Sequence, residues 1–284
     1  MATPAAPPKE EEPPPEEPRE GGPVRTPLRG VSAVIAGRMA ESLAIPTATS
    51  VRVMPAKLLE VNRQIINNQL RRLTQGGKVS FTHLIGWAIV QALQAMPEMN
   101  VAYQEVGGKP HLVRYPQVNL GLAVDVERKD GARSLVVPNL RGADRMGFQT
   151  YWLAYEDAIH RARTGRLTPD DFAGTTVTLT NPGTIGTVQS VPRLMPGQGV
   201  IIGVGAIGYP PEYQASDERF LARQGIGRVV TLTSTYDHRV IQGAQSGELL
   251  ARIHRLLLGE DGFYDGVFQA LGIPYTPARW AQDF

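Results

Sequence analysis

The spacing of apolar and polar residues changes several times along the chain, and each spacing predicts a different element. Apolar residues three and four positions apart predict helices, whereas runs of β-branched residues predict strands. The helical pattern covers residues 31–43, 56–73, 80–99, 147–165 and 245–259. The strand pattern covers residues 47–55, 118–127, 134–140, 175–181, 199–207 and 228–238. Because the two kinds of element are interleaved without a strict βαβ repeat, the sequence predicts one α/β domain with a mixed sheet.

The first 27 residues differ from everything that follows. They alternate prolines with glutamates and contain almost no large apolar side chains. Such a composition cannot bury enough apolar surface to offset the entropy lost on ordering. Residues 1–27 are therefore predicted to form a disordered linker in front of the folded domain.

Composition and charge exclude several classes of function. The chain has no cysteine, which rules out disulfides, zinc-thiolate sites and cysteine nucleophiles and suits a reducing cytoplasm. The formal net charge of +2 is too small to favour nucleic acid. No apolar run is long enough to span a membrane. We therefore expect a cytoplasmic protein without a nucleic-acid or membrane partner.

Three familiar kinds of site lack the residues or the context they need. The glycines of GVGAIG, residues 203–208, fit a dinucleotide-binding pattern, but YPPEYQ follows where a helix would have to begin. A buried strand whose glycines admit close neighbours is the better interpretation. The five histidines form no short-spaced pair, so no metal site is expected. A serine-hydrolase G-x-S-x-G motif is also missing.

His238 stands at the end of a predicted strand and directly before a turn that contains Gly243. A histidine held by a stiff strand can remove a proton and return it, because imidazole titrates near neutral pH. An ordinary strand-end histidine is the alternative. Neighbouring residues of a strand point to opposite faces, so Asp237 is expected to have a structural role.

A second polar segment, LTNPGTIG, ends another predicted strand. Thr180 comes last in that strand and Asn181 begins the loop, which Gly183 and Gly186 would make tight. Thr180 could donate a hydrogen bond to a developing oxyanion. The alternative is a turn that the asparagine stabilises.

These segments together resemble the catalytic domain of the dihydrolipoyl acyltransferases of 2-oxoacid dehydrogenase complexes. The family motif D-H-R-x-x-D/N-G-A is matched by Asp237, His238, Arg239, Gly243 and Ala244, and T/S-N-x-G is matched by Thr180, Asn181 and Gly183. The resemblance covers about residues 28–272, which we take as the catalytic domain. It implies a mixed-sheet fold like that of chloramphenicol acetyltransferase, preceded by the disordered linker.

The resemblance also implies a reaction and an assembly. His238 would take the thiol proton of coenzyme A, whose sulfur attacks an S-acyl-dihydrolipoyl thioester, and Thr180 would stabilise the oxyanion. The family is trimeric, with each active site between two subunits. A homotrimer is therefore expected, with His238 and Thr180 of one site coming from different subunits and no metal ion in it.

One branch of the family is closer than the rest. GIGRVVTLTSTYDHRVIQGAQSGELL and LGIPYTPARW resemble the N-terminal acyltransferase part of the actinobacterial multifunctional 2-oxoglutarate decarboxylase/dehydrogenase. This likeness implies a succinyl substrate and a lipoyl group supplied by another, lipoyl-bearing acyltransferase protein. It also implies that residues 273–284 are a junction toward a downstream decarboxylase region, where thiamine diphosphate and magnesium would bind.

Gln242 departs from the family pattern, which has Asp or Asn at this position. A glutamine cannot form an ion pair, but its amide can still accept a hydrogen bond from an arginine, for which Arg38 is the candidate. The departure leaves open a trimerising scaffold with little or no transferase activity. An antibiotic acetyltransferase would share the fold and the histidine but does not predict the C-terminal junction.

Overall fold

A computed structural model describes residues 25–73, 76–127 and 133–279. The helices are α1 (Val31–Ser42), α2 (Lys57–Arg72), α3 (Phe81–Ala95), α4 (Phe148–Arg163), α5 (Glu218–Arg223), α6 (Gly243–Leu257) and α7 (Phe263–Ala270). The strands are β1 (Thr47–Pro55), β2 (Val101–Val106), β3 (Lys109–Arg114), β4 (Leu120–Glu127), β5 (Arg133–Val136), β6 (Asn139–Leu140), β7 (Val177–Thr180), β8 (Val200–Val204) and β9 (Val229–Asp237). The predicted linker lies largely outside the described residues.

Seven of the described strands form one mixed sheet in the order β1-β9-β8-β7-β4-β5, with β6 also paired to β4. The central strands β4, β7 and β8 run parallel to one another. Strand β9 is antiparallel to β8 and to the edge strand β1. The mixed sheet that the interleaved pattern predicted is thus observed.

Helices cover one face of this sheet, and a long loop covers part of the other. Helix α6 packs on β1, β9 and α3, while α4 packs on β4 and β6. Helix α3 is buried along most of its length, and its N-cap Ser80 accepts a hydrogen bond from the backbone of His83. Helix α3 is thus buried on all sides, among α2, α4 and α6.

The loop between β7 and β8 contacts the backbone of β8 and of the segment after it directly. Glycines in this part of the chain allow the contact because they have no side chain. A Cβ on Gly205 would overlap the carbonyl oxygen of Val188, and a Cβ on Gly183 would overlap the backbone of Gly205. All of β8 is buried. The predicted role of the GVGAIG glycines is therefore confirmed for Gly203 and Gly205, whereas β8 ends at Val204 and a Cβ on Gly208 would have nothing within 4 Å.

The sequence pattern missed some elements and merged others. It did not predict the β2–β3 hairpin or the helices α5 and α7, and it took β5 and β6 for one strand, which Pro138 interrupts. The domain boundaries at residues 28 and 272 stay predictions. None of the described helices is long and apolar enough to cross a membrane.

Candidate active site

His238 follows the last residue of β9, in the turn that leads to α6. Its side chain is exposed, yet its backbone is fixed, because its N–H donates to the carbonyl of Pro46 at 2.9 Å. The imidazole lies 5.4 Å from the ring of the buried Tyr236, measured between centroids. An open imidazole on a rigid backbone meets the requirement for a general base that a substrate must reach.

Asp237 binds Arg239 and not His238. The carboxylate is only 3% exposed and accepts from the Arg239 side chain twice, at 2.9 Å from Nε and 2.7 Å from Nη2. The backbone N–H of Arg239 also donates to it, at 3.0 Å. These hydrogen bonds raise the pKa of the Arg239 guanidinium. Asp237 therefore has the structural role expected for it, as the acceptor that holds the turn.

Thr180 ends β7, half-buried, and its hydroxyl has no hydrogen-bond partner among the described residues. The loop that follows is fixed to α3, since the side chain of Asn181 donates to the Thr82 hydroxyl at 2.7 Å. Gly186 adopts a positive φ of 91°, which closes the short helical turn after Asn181. A free hydroxyl on an anchored strand end can donate to a ligand.

His238 and Thr180 lie far apart within one chain. Thr180 pairs with Gly203 of β8, which in turn pairs with Thr233 of β9. His238 is five residues beyond Thr233, or about 17 Å along the strand, and two strand spacings add about 10 Å sideways. A single chain therefore does not bring the two candidate groups to one reacting atom.

The supporting residues named from the sequence sit around the start of α6. Gln242 is the N-cap, and its backbone N–H donates to the side chain of Gln245 at 2.8 Å. A Cβ on Gly243 would lie 3.3 Å from the hydroxyl of Tyr236. Arg38 is exposed on α1, and no hydrogen bond joins it to Gln242 within the described residues. The Arg38–Gln242 contact stays a prediction.

A cavity of about 310 Å³ opens beside the His238 turn. Its walls come from the end of α1, from β2, from the segment before β8 and from the turn itself, with the lining residues including Glu41, Tyr103, Gln198, Asp237 and Arg239. It is partly apolar and partly charged, as in many sites for small organic ligands. The cavity is lined by the two neighbours of His238, Asp237 and Arg239, and not by His238 itself.

Sequence reasoning missed one residue of this site, Tyr103 in the β2–β3 hairpin. The Arg239 guanidinium carbon lies 3.7 Å from the centroid of the Tyr103 ring. Gly107 and Gly108, at φ angles of 58° and 73°, form the hairpin turn. A Gly-Gly pair between two short runs is a hairpin signal that could have revealed this element.

Comparison with known proteins shows which family the chain matches. The family described as 2-oxoacid dehydrogenases acyltransferase (catalytic domain) matches residues 20–261. The chain is 58% identical over 256 residues to the multifunctional 2-oxoglutarate metabolism enzyme of Mycobacterium sp. (strain JLS), covering 90% of this chain and 20% of that protein. It is 54% identical over 267 residues to the 2-oxoglutarate dehydrogenase E1/E2 component of Corynebacterium glutamicum, covering 94% and 22%.

A solved structure agrees with the sequence match. The dihydrolipoamide acetyltransferase of Azotobacter vinelandii superposes with a TM-score of 0.69 at 26% identity, covering 86% of this chain and 96% of that one. The predicted mixed-sheet acyltransferase fold is confirmed. The chain spans about a fifth of the length of the curated relatives it matches. It belongs to the family of 2-oxoacid dehydrogenase acyltransferase catalytic domains.

Proposed function

We propose that this chain transfers a succinyl group from an S-succinyl-dihydrolipoyl protein to coenzyme A. The observation that carries the proposal is His238, an exposed imidazole on a fixed backbone in the D-H-R motif of an acyltransferase family. Succinyl is the acyl group because the two relatives described above are named for 2-oxoglutarate. The lipoyl group comes from another protein.

The reaction is a direct exchange between two thiols. His238 takes the proton of the coenzyme A thiol, and the sulfur forms a bond to the thioester carbonyl carbon. The carbonyl oxygen becomes an oxyanion, to which the Thr180 hydroxyl donates. The bond from carbon to the dihydrolipoyl sulfur then breaks, and His238 returns the proton to that sulfur. No acyl-enzyme forms, and no nucleophile of the protein is consumed.

Because the two groups are far apart in one chain, the site has to combine His238 of one subunit with Thr180 of the next. Two apolar surfaces suit such an interface: an α1 patch of Met39 and Leu43, and a loop patch of Ile185, Val188 and Val191, all exposed in the single chain. The α1 patch leads into Pro46, which binds the His238 backbone. The loop patch follows Thr180.

A two-fold dimer would bring the same patch of both subunits together, whereas a head-to-tail ring joins two different patches. The α1 patch and the loop patch differ, so they favour the ring. Helix α1 supports this assignment, because a 12-residue helix that is exposed along almost its whole length is marginal by itself. A second copy that covers it would stabilise it. A homotrimer, as the family resemblance implies, closes the ring with three equivalent sites.

The remaining partners belong to the same proposal. Since the relatives are about five times longer than their match to this chain, a downstream decarboxylase region that binds thiamine diphosphate and magnesium is expected beyond residues 273–284. The reaction as a whole would then serve 2-oxoglutarate oxidation in the tricarboxylic acid cycle. A cytoplasmic location stays a prediction.

The direct test supplies S-succinyl-dihydrolipoamide and coenzyme A and follows succinyl-coenzyme A by chromatography. Wild-type protein should form the product. His238→Ala should lower kcat about a hundredfold or more by removing the base, and Thr180→Ala about a hundredfold by removing one oxyanion donor. S-acetyl-dihydrolipoamide, supplied in parallel, measures the preference between acyl groups.

His160→Ala is the matched control, since His160 is another exposed histidine but lies on α4 and bonds to Arg166. It should retain wild-type kcat. A folded trimer that forms no succinyl-coenzyme A would contradict the proposal and favour the scaffold. Equal losses in all three variants would show that the effect is not specific to the site.

A further inference from the structure

The turn that presents His238 is organised by the two residues on either side of it. Asp237 accepts the backbone N–H groups of Val240 and Ile241 with its carbonyl oxygen, at 3.1 and 3.0 Å. Its carboxylate accepts the backbone and both side-chain donors of Arg239 described above. His238 therefore sits between the two members of one ion pair, the buried Asp237 and the more exposed Arg239, and this pair restrains its backbone.

The ion pair is covered on its open side by Tyr103. The Arg239 guanidinium lies over the ring, with Cζ 3.7 Å from the centroid. Asp237 accepts two hydrogen bonds from one edge of the guanidinium. The guanidinium therefore contacts Asp237 along its edge and the Tyr103 ring across its face. A guanidinium held in both ways loses most of its rotational freedom.

Tyr103 itself belongs to a hairpin that is anchored at its base. The Tyr115 hydroxyl donates to the carbonyl of Gly197 at 2.8 Å, and the carbonyl of Val101 packs so closely on Gly199 that a Cβ there would overlap it. Gly199 in turn accepts the backbone N–H of Asp237 at 2.9 Å. The hairpin, the 197–199 segment and the His238 turn thus form one connected unit.

We propose that Tyr103 is a positioning residue for His238, acting through the stack of its ring on Arg239. This inference rests on the proposed function, in which His238 is the base. Removing the ring opens the face of the Arg239 guanidinium to more water, which weakens its attraction to Asp237 and frees the guanidinium to rotate. The turn then samples more orientations, and fewer of them place the imidazole at the thiol proton.

The test compares Tyr103→Leu, which removes the aromatic face, with Tyr103→Phe, which keeps it and loses only the hydroxyl. Tyr103→Leu should lower kcat about tenfold with little change in the KM for coenzyme A. Tyr103→Phe should stay within about twofold of wild type. Leu112→Ala is the control for the hairpin, since Leu112 is the exposed cross-strand neighbour of Tyr103; its kcat should not change.

A second variant acts on the other side of the same contact. Arg239→Lys keeps the charge but loses the planar fork and the stack, so it should lower kcat as Tyr103→Leu does. The double variant should be no slower than the slower single variant, because both remove one contact. Additive losses would show that Tyr103 does not act through Arg239.

The imidazole NMR signals of His238 provide a readout that does not depend on turnover. They should shift or broaden in Tyr103→Leu and match wild type in Tyr103→Phe. If the wild type shows no transferase activity but the signals respond in this way, the proposed function fails while the positioning contact stands. Unchanged signals in Tyr103→Leu, or a change in KM alone, would overturn the inference and make Tyr103 a wall of the substrate cavity.

Discussion

Residue 242 shows how a single side chain can change the support of a site without replacing its chemistry. Gln242 is the N-cap of α6, where a short acceptor side chain would cap the helix best, and it is exposed. The cap is instead supplied from within the helix, by the Gln245 side chain that accepts the Gln242 N–H. This hydrogen bond at the start of α6 does not depend on the Gln242 side chain.

We predict that Gln242→Ala lowers kcat less than tenfold, far less than His238→Ala. The backbone hydrogen bond to Gln245 survives the change, and none of the described contacts joins the Gln242 side chain to His238. Steady-state transfer assays on the two variants measure the ranking. The Gln242→Asp variant, which restores a family residue at an N-cap, should raise thermal stability. Equal losses in Gln242→Ala and His238→Ala would reverse this ranking.

His254 makes a second prediction at the residue scale. On α6, its Nδ1 accepts from Arg52 Nε at 3.0 Å, and its buried Nε2 has no partner among the described residues. Burial, together with the neighbouring Arg52 cation, lowers the pKa of His254. The unfolded chain therefore binds a proton before the folded one does, and stability should fall as the pH drops below about 6.5.

Thermal unfolding between pH 7.5 and pH 5.5 measures this effect. We expect the melting temperature to decrease toward acid pH in the wild type and to decrease less in His254→Gln, which cannot gain the proton. The His160→Gln variant is the matched control, because that histidine is exposed. An acid-side slope that is unchanged in His254→Gln would assign the pH dependence to other groups.

At the scale of elements, the position of Thr180 depends on the glycines of β8 and of the segment after it. The loop that follows Thr180 passes so close to this segment that Gly183 and Gly205 leave no room for a Cβ between them. The hydroxyl of Thr233 on β9 also donates to the carbonyl of Ser190 in that loop, at 2.9 Å. The loop is therefore shaped by the backbone below it.

We predict that Gly205→Ala displaces the loop and lowers both stability and kcat, whereas Gly208→Ala changes neither. The added Cβ at Gly205 meets the backbone carbonyl of Val188, which cannot rotate away, while the one at Gly208 has nothing within 4 Å. Overpacking of this kind costs about 1–3 kcal/mol. Thermal unfolding and transfer assays compare the pair, and equal behaviour of the two variants would contradict the prediction.

The same elements show what a sequence can and cannot predict. Strand β1 was predicted at its observed bounds, and Ser80 was predicted as the start of α3, because local spacing and capping chemistry determine both. His238 and Thr180 were found through motifs at strand ends. The contact of Tyr103 with Arg239 was not, since it joins residues distant in the chain and depends on how a hairpin folds back.

At the scale of the whole molecule, the sheet itself separates the two catalytic candidates. Thr180 ends a strand on one side of β8, while His238 follows the far end of β9 on the other side. The strands are long and paired, so no local movement can close a gap of about 17 Å. In the proposed mechanism each chain therefore carries two half-sites, which a neighbouring copy completes.

This arrangement predicts that two inactive variants restore activity to each other. Consider trimers that contain both Thr180→Ala and His238→Ala chains. A site is intact where the His238 of a Thr180→Ala chain meets the Thr180 of a His238→Ala chain. Each such trimer has one intact site of this kind among its three, so the combination makes up about a third of the sites. Co-expression with two different tags and purification over both should therefore give a sizeable fraction of wild-type kcat, whereas each variant alone stays inactive.

Mixing the separate trimers without subunit exchange is the control and should restore nothing. If the co-expressed hetero-oligomer were as inactive as its parents, His238 and Thr180 would have to act within one chain, and the shared-site trimer would be wrong.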